Sequence, residues 1–233
     1  MKLLALDTSS ITATVALLDD EKLMGEYTLN HKKNHSQKLM PMIEELLNSC
    51  STKPKEIDVF AVSLGPGSFT GLRIGIATMT AMAQALDKEV VGVSTLEALA
   101  YNLFNIKGLI CPIIDAQRDL VYTALYRWTD GDMEELMKQQ VIDIHSLIGI
   151  LREKSEKIFF IGDALEKFSG NLKADLAQQF AVPPPRLLIP SASSVAEVAK
   201  IKIQKNITMD MVPIYMRKSE AEVQYEKRMK GRE

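Results

Sequence analysis

Twice in this chain an apolar run ends on an aspartate, at residues 2–7 and again at residues 109–115. Consecutive apolar positions of this kind suit a strand buried on both faces, and the polar residues after each aspartate suit a tight loop. The segments beyond the two runs are also alike. After the first, residues 12–18 alternate polar and apolar, Asp19-Asp20 supply a turn, and residues 22–29 alternate again, so a hairpin is expected beside the opening strand. A helix is predicted over 36–48, where Leu39, Met42, Ile43, Leu46 and Leu47 recur at three- and four-residue spacing and Pro41 falls in the first turns. Then come a buried strand at 59–64, a glycine-rich turn, a helix over 70–86, a short strand at 90–93 and a helix opened by a Ser94 and Glu97 capping box. After the second run, residues 120–128 alternate, Thr129 to Gly131 form a turn and residues 133–142 return. A helix over 146–153 and a strand over 158–161 ended by Gly162-Asp163 complete the pattern. Each half therefore reads strand, strand, strand, helix, strand, helix, which predicts a duplicated α/β lobe divided between residues 105 and 106. The prolines at 183–185 form a stiff connector, and Ser194 with Glu197 starts a further short helix.

With 46% hydrophobic residues in 233, the chain can fill a core in each lobe. Lys and Arg total 28 against 30 Asp and Glu, a formal net charge of -2, which disfavours a stand-alone, avid nucleic-acid binder. Cys50 and Cys111 lie far from any CxxC spacing, in or beside apolar segments, and read as buried thiols of a reducing compartment. No apolar stretch reaches membrane-spanning length, so a cytoplasmic protein with no membrane partner is expected. The segment from Met216 to Glu233 carries six basic and four acidic residues and reads as a solvated tail, with Lys227, Arg228, Lys230 and Arg232 available for phosphate contacts.

Four groups of residues bear on chemistry. Gly65-Pro-Gly-Ser-Phe-Thr-Gly71 sits between a strand and a helix, where Gly65 and Gly67 serve either a ligand approaching free N–H groups or only the φ demands of a tight turn. It fits neither GxGxxG nor the P-loop. Gly71 and Gly75, with Thr78, Met79 and Met82 continuing along the helix, leave a close-approach face, for packing within the lobe or for a partner helix. Asp7, Thr8, Ser9 and Ser10 stand where open sheets bind ligands, or make an Asx turn; the second lobe's Asp115-Ala-Gln-Arg118 has no glycine and would crowd a phosphate. His31 and His35 have HxxxH spacing, but Lys32 and Lys33 lie between them and the pair precedes the helix, so no metal site is expected. His145 is isolated, and no nucleophile triad can be assembled from these histidines, which leaves a peptidase without a site.

The stretches Leu4-Ala-Leu-Asp-Thr-Ser-Ser10, Ser63-Leu-Gly-Pro-Gly-Ser-Phe-Thr-Gly-Leu-Arg-Ile-Gly75, Gly92-Val-Ser-Thr-Leu-Glu-Ala-Leu99, Ile114-Asp-Ala-Gln-Arg118 with Val121-Tyr122, and Pro213-Ile-Tyr-Met-Arg217 resemble, in order and from end to end, the TsaB (YeaZ) family. The resemblance implies the actin-like fold of sugar kinases and heat-shock ATPases, in two related lobes. It also implies a non-catalytic subunit that pairs with a TsaD-like paralogue. That paralogue transfers a threonylcarbamoyl group from its adenylate, made by TsaC, to the adenosine beside the anticodon of tRNAs reading ANN codons, and a TsaE-like ATPase joins the complex. TsaD-type proteins carry a metal-binding HxxxH after the strand that corresponds to residues 90–93. Here that stretch is Val93-Ser-Thr-Leu-Glu97, without histidine, so no catalytic or metal role carries over. The resemblance further implies tRNA contact through the complex and little or no ATP binding by this chain alone, with ATP or ADP at the junction of the subunits. Asp7, Thr8, Ser9, Ser10, Gly65, Gly67 and Asp115 would be vestigial nucleotide contacts. The partner surface would be the first-lobe helices, through Leu39, Met42, Ile43, Leu46, Gly71, Gly75, Thr78, Met79 and Met82, and the free chain would pair with itself through the same face. The competing expectation is a stand-alone ATPase or small-molecule kinase of the same fold.

Overall fold

A computed structural model of the chain describes residues 1–31, 35–207 and 209–217. The first half forms β1 (Lys2–Asp7), β2 (Thr12–Asp19), β3 (Lys22–Asn30), α1 (His35–Ser49), β4 (Val59–Gly65), α2 (Phe69–Leu86), β5 (Glu89–Ser94) and α3 (Thr95–Tyr101). The second forms β6 (Leu109–Asp115), β7 (Leu120–Thr129), β8 (Asp132–Asp143), α4 (Ile144–Arg152), β9 (Ile158–Ile161), α5 (Leu165–Leu176), β10 (Phe180–Ala181) and α6 (Ala192–Gln204). The sheets run β3-β2-β1-β4-β5 and β10-β9-β6-β7-β8, so strand for strand the second repeats the first. In both, the opening strand lies centrally, antiparallel to the hairpin on one side and parallel to the next strand on the other, with Leu6 opposite Val15 in β2 and Val62 in β4. That central place explains the unbroken apolar runs: Leu3 to Leu6 and Leu109 to Ile113 bury side chains on both sheet faces.

Nine of the ten strands fall where the sequence patterns put them, β10 at Phe180–Ala181 being the exception, and several helices shift by their caps. Ser68 Oγ accepts from Gly71 N–H and starts α2 one residue early; Asp143 accepts from His145 and Ser146 N–H and starts α4 at Ile144. Half of the expected capping box forms, because Ser94 caps α3 while Glu97 turns instead to Lys202 at 3.0 Å. The last helix is capped by Ser191, not Ser194, and runs 13 residues. No helical range predicted from the sequence covers α5, although Leu165, Phe168, Leu172 and Leu176 bury one stripe of it.

The lobes exchange their last helices, and the division at residue 105 is corrected accordingly. Leu96, Leu99 and Ala100 of α3 and the following Leu103 share a core with Ile110, Ile114, Tyr122 and Tyr126 of the second sheet. Ala192, Val195, Ala196 and Ala199 of α6 pack instead with Leu3, Ala5, Ala16 and Val93 of the first. Residues 209–217 also return to the first lobe, where Met209, Met211 and Ile214 pack on its core. The first lobe therefore takes in α6 and the 209–217 strap, while α3 lies between the sheets, with Ala98 on the α6 side and Leu96, Leu99 and Ala100 on the second sheet. Residues 218–233, with the four tail cations, lie outside the described residues.

Candidate functional site

The glycine-rich turn between β4 and α2 packs against the loop after β1. A Cβ at Gly67 would lie 2.3 Å from Ser9 O, one at Gly71 2.0 Å from Thr8 O, and one at Gly75 2.4 Å from Thr8 Oγ1. Ser68 N–H donates to Ser9 O at 2.6 Å and Thr8 Oγ1 donates to Gly71 O at 2.8 Å, locking the two loops together. Gly65 (φ 114°) is needed for its backbone and for room, since its Cβ would meet Ile214 O at 2.9 Å. The glycines make room for the chain's own backbone. Of the two readings of this turn, close packing is the one the structure carries.

Asp7 is completely buried at the end of β1. Its Oδ1 accepts from Ser9 N–H at 2.8 Å and Ser9 Oγ at 2.7 Å, an Asx turn. Burial pushes its pKa up, against a weaker opposing pull from the Ser63 and Ser9 hydroxyls. Oδ2 and Ser63 Oγ are both sealed from water without a well-formed partner, and Ser63 has a hydroxyl proton to offer the carboxylate. A completely buried Asp7 is a turn former and has no surface to offer a nucleotide or its metal. Thr8 and Ser9 are buried with it, and Ser10 uses its hydroxyl to accept from Thr12 N–H.

The second lobe repeats the turn: Asp115 Oδ1 accepts from Gln117 N–H at 2.9 Å. Here the aspartate is exposed, and Gln117, Arg118 and Asp119 all adopt positive φ (62°, 52° and 61°) without glycine. Between the lobes lies a cleft of about 530 Å³ lined by Ser9, Gly67 to Thr70, Asp115, Gln117, Tyr122, Asp163 and Arg217. Asp163 accepts from Asp115 N–H at 2.9 Å. The surrounding protein raises its pKa by desolvation, opposed by that hydrogen bond and helped by the Asp115 charge, although the residue is exposed to the cleft. Of the expected nucleotide contacts, Ser9, Gly67 and Asp115 reach this cleft, while Asp7 is sealed behind it and Gly65 underlies the strap. Sequence reasoning missed Asp163, Tyr122 and Arg217 as cleft residues; the signal for Asp163 was its place after β9, matching the glycine turn after β4.

The strap explains the late Pro213-Ile-Tyr-Met-Arg217 stretch. Ile214 N–H donates to Leu64 O at 2.7 Å, and the Tyr215 ring stacks on Phe69 at 4.4 Å while its hydroxyl accepts from Arg73 Nε at 2.8 Å. Arg217 is thereby brought to the cleft.

The expected partner face is corrected by burial. Leu39, Ile43, Leu46 and Met79 are 0–1% exposed in the first-lobe core, and Gly71 and Gly75 face Thr8, so none of the six points outward. Met42, Thr78 and Met82 are half-buried at the rim; Met40, Ala77, Ala81 and Ala85 are exposed beside them. Three- and four-residue spacing gave a helix face but not its direction. His35 is held by Ser10 O at 2.8 Å, His31 and His145 are exposed, and no cluster of three metal-ligating residues occurs among the described residues. Cys111 is buried and pushed up to about 12 by burial; Cys50 is half-buried rather than buried, and neither is in a disulfide. No helix among the described residues is long and apolar enough to cross a membrane.

Two duplicated sheets, exchanged terminal helices and an interlobe cleft define the actin-like class. Thermus thermophilus ROK hexokinase shares the fold, with a TM-score of 0.50 at 9% identity over 88% of this chain and all of the other. A family model described as "TsaD: tRNA N6-adenosine threonylcarbamoyltransferase" matches residues 22–225. Bacillus subtilis TsaB, a "tRNA threonylcarbamoyladenosine biosynthesis protein", is 35% identical over 97% of this chain and 98% of its own. Pseudomonas aeruginosa YeaZ superimposes with a TM-score of 0.76 at 26% identity, over 92% of this chain and 99% of the other. The chain belongs to the TsaB (YeaZ) family.

Proposed function

We propose that this chain is the non-catalytic subunit that holds a TsaD-type transferase competent to make threonylcarbamoyladenosine in tRNA. The observation that carries the reading is the full-length match to a curated TsaB, taken together with a first-lobe loop closed on its own backbone. The stretch that corresponds to the transferase's HxxxH supports it: Ser94 caps α3 and donates to Gln139, and Thr95 is buried. The partner face of this reading is the outer surface of α1 and α2, through Met40, Met42, Thr78 and Met82 around the exposed alanines 77, 81 and 85. Small residues admit a helix at close range, and methionines adapt to an imperfect fit. The free chain pairs with itself through this face. The TsaE-like ATPase and tRNA come through the complex, and ATP or ADP sits at the subunit junction.

The test is an Ala81→Arg variant, with Gly149→Arg on the outside of α4 as control. Co-purification with a TsaD-type protein and tRNA modification by the mixture are expected to survive the control and to be lost with Ala81→Arg at unchanged thermal stability. Modification by the partner without this chain, or ATP turnover by this chain alone, would overturn the reading.

A further inference from the structure

The interlobe cleft holds opposite charges that do not meet. Arg217 lines it from the strap side, half-buried and without a carboxylate partner among the described residues. Asp115 and Asp163 line the opposite, second-lobe wall, and neither has a cationic partner among the described residues. Several other shielded cations are paired: Lys200 with Glu21 and Glu197, Lys202 with Glu97, and Arg127 with both oxygens of Glu156. A half-buried guanidinium with no counter-ion has given up hydration without return.

The lobes are joined by side-chain contacts that leave these groups apart in the structure. Asn102, at the end of α3, donates to Leu187 O and Ile189 O at 3.0 and 2.9 Å and accepts from Ser194 Oγ at 2.7 Å. Ser94 donates to Gln139 across the lobes, and the exchanged helices α3 and α6 are themselves joined by the Lys202–Glu97 pair. At about 530 Å³ the cleft has the size of a small-molecule site.

The ligand that suits it carries both signs. Two carboxylates on one wall repel a polyanion, and the turn that would cradle a phosphate is filled by Thr8 and Ser9. We propose that the cleft binds a compact zwitterion of the free amino-acid class, its carboxylate held by Arg217 with the Ser68 and Thr70 hydroxyls, its ammonium by Asp115 and Asp163. Tyr122 and Gln117 line the space between. The ligand bridges the lobes.

The experiment is titration of the full chain with the free proteinogenic amino acids, followed by amide NMR shifts of Gln117 and Tyr122. At least one is expected to bind saturably at millimolar concentration. Its N-acetyl derivative, lacking the ammonium, and its carboxamide, lacking the carboxylate, are each expected to bind about tenfold more weakly or worse. Arg217→Gln and Asp115→Asn are expected to weaken binding by about the same factor with unchanged circular dichroism. Saturable binding by none of the amino acids overturns the proposal, as does equal binding of both blocked derivatives. These derivatives test the two charges on the unaltered protein, so the outcome does not depend on how the variants fold.

Discussion

A single methyl group distinguishes the roles of this chain's glycines. At Gly71 an added Cβ would sit 2.0 Å from the Thr8 carbonyl oxygen, and neither backbone has a rotamer by which to yield. Gly71→Ala is expected to cost about 3 kcal/mol, seen as a lower denaturant midpoint at unchanged slope. Gly149, on the exposed side of α4, has nothing within 4 Å and ordinary φ, so Gly149→Ala is expected to stabilise by about 0.5–1 kcal/mol. If both substitutions were equally harmful, close packing would not be what glycine serves at 71. Asp7 supplies the other residue-scale prediction. Its pKa is raised in the folded chain, so its contribution to stability is fully present below the ordinary carboxylate value of ~3.9 and is lost as pH rises through the folded value. Asn at this position keeps the oxygen that accepts from Ser9 and can donate to Ser63 without a charge to bury. Asp7→Asn is thus expected to match the natural chain under acid conditions and to exceed it in urea stability at neutral pH. A natural chain that gained on the variant as pH rose would show a carboxylate stabilised by its surroundings instead.

The strap is an element with no regular secondary structure, held by the packing of Met209, Met211 and Ile214 on the first-lobe core together with the Tyr215 stack on Phe69, its contacts with Arg73 and the Ile214 backbone hydrogen bond. Tyr215→Ala removes the stack on Phe69 and the acceptor of Arg73, and is expected to cost about 1 kcal/mol and to expose the Ile214 amide to hydrogen exchange. Tyr215→Phe keeps the stack and is expected to retain most of that protection; equal loss in both variants would assign the strap's hold to the hydroxyl. Elements differ in how far the sequence discloses them. Strands were legible because burial on two faces writes an unbroken apolar run and burial on one writes an alternation. The α2 start was legible from its glycine turn, and the Asp7 turn from its polar run. The inward direction of Gly71 and Gly75 was not, since spacing defines a face without saying which neighbour meets it. Nor was Arg217 as a cleft residue: it is brought there by Tyr215 packing on a helix 142 positions away in sequence.

At the scale of the whole molecule, the exchange of α3 and α6 determines how the chain unfolds. Each half builds one core of its own, under α1 and α2 in the first and under α4 and α5 in the second, but the other face of each sheet is packed by residues from the other half of the sequence, so neither half covers both faces of its own sheet. Cut after residue 105, the first fragment would leave Leu3, Ala5, Ala16 and Val93 bare where α6 belongs, and the second would leave Ile110, Tyr122 and Tyr126 bare where α3 belongs. Exposed faces of that kind draw chains into aggregates rather than stable lobes. The intact chain is therefore expected to unfold in one transition despite its two lobes, with calorimetric and van't Hoff enthalpies equal and no intermediate in denaturant. Fragments 1–105 and 106–217 made separately are expected to lack cooperative melts, and to regain one when mixed. Two resolved transitions in the intact chain, or a cooperative melt of either fragment alone, would show that the exchanged helices only decorate lobes that fold by themselves. The same exchange ties the lobes together: Ser94, Asn102 and Lys202 make contacts drawn from both halves. Under the proposed function, a partner docking on the outer face of α2 would meet a lobe whose other sheet face is held by α6 from the far end of the sequence.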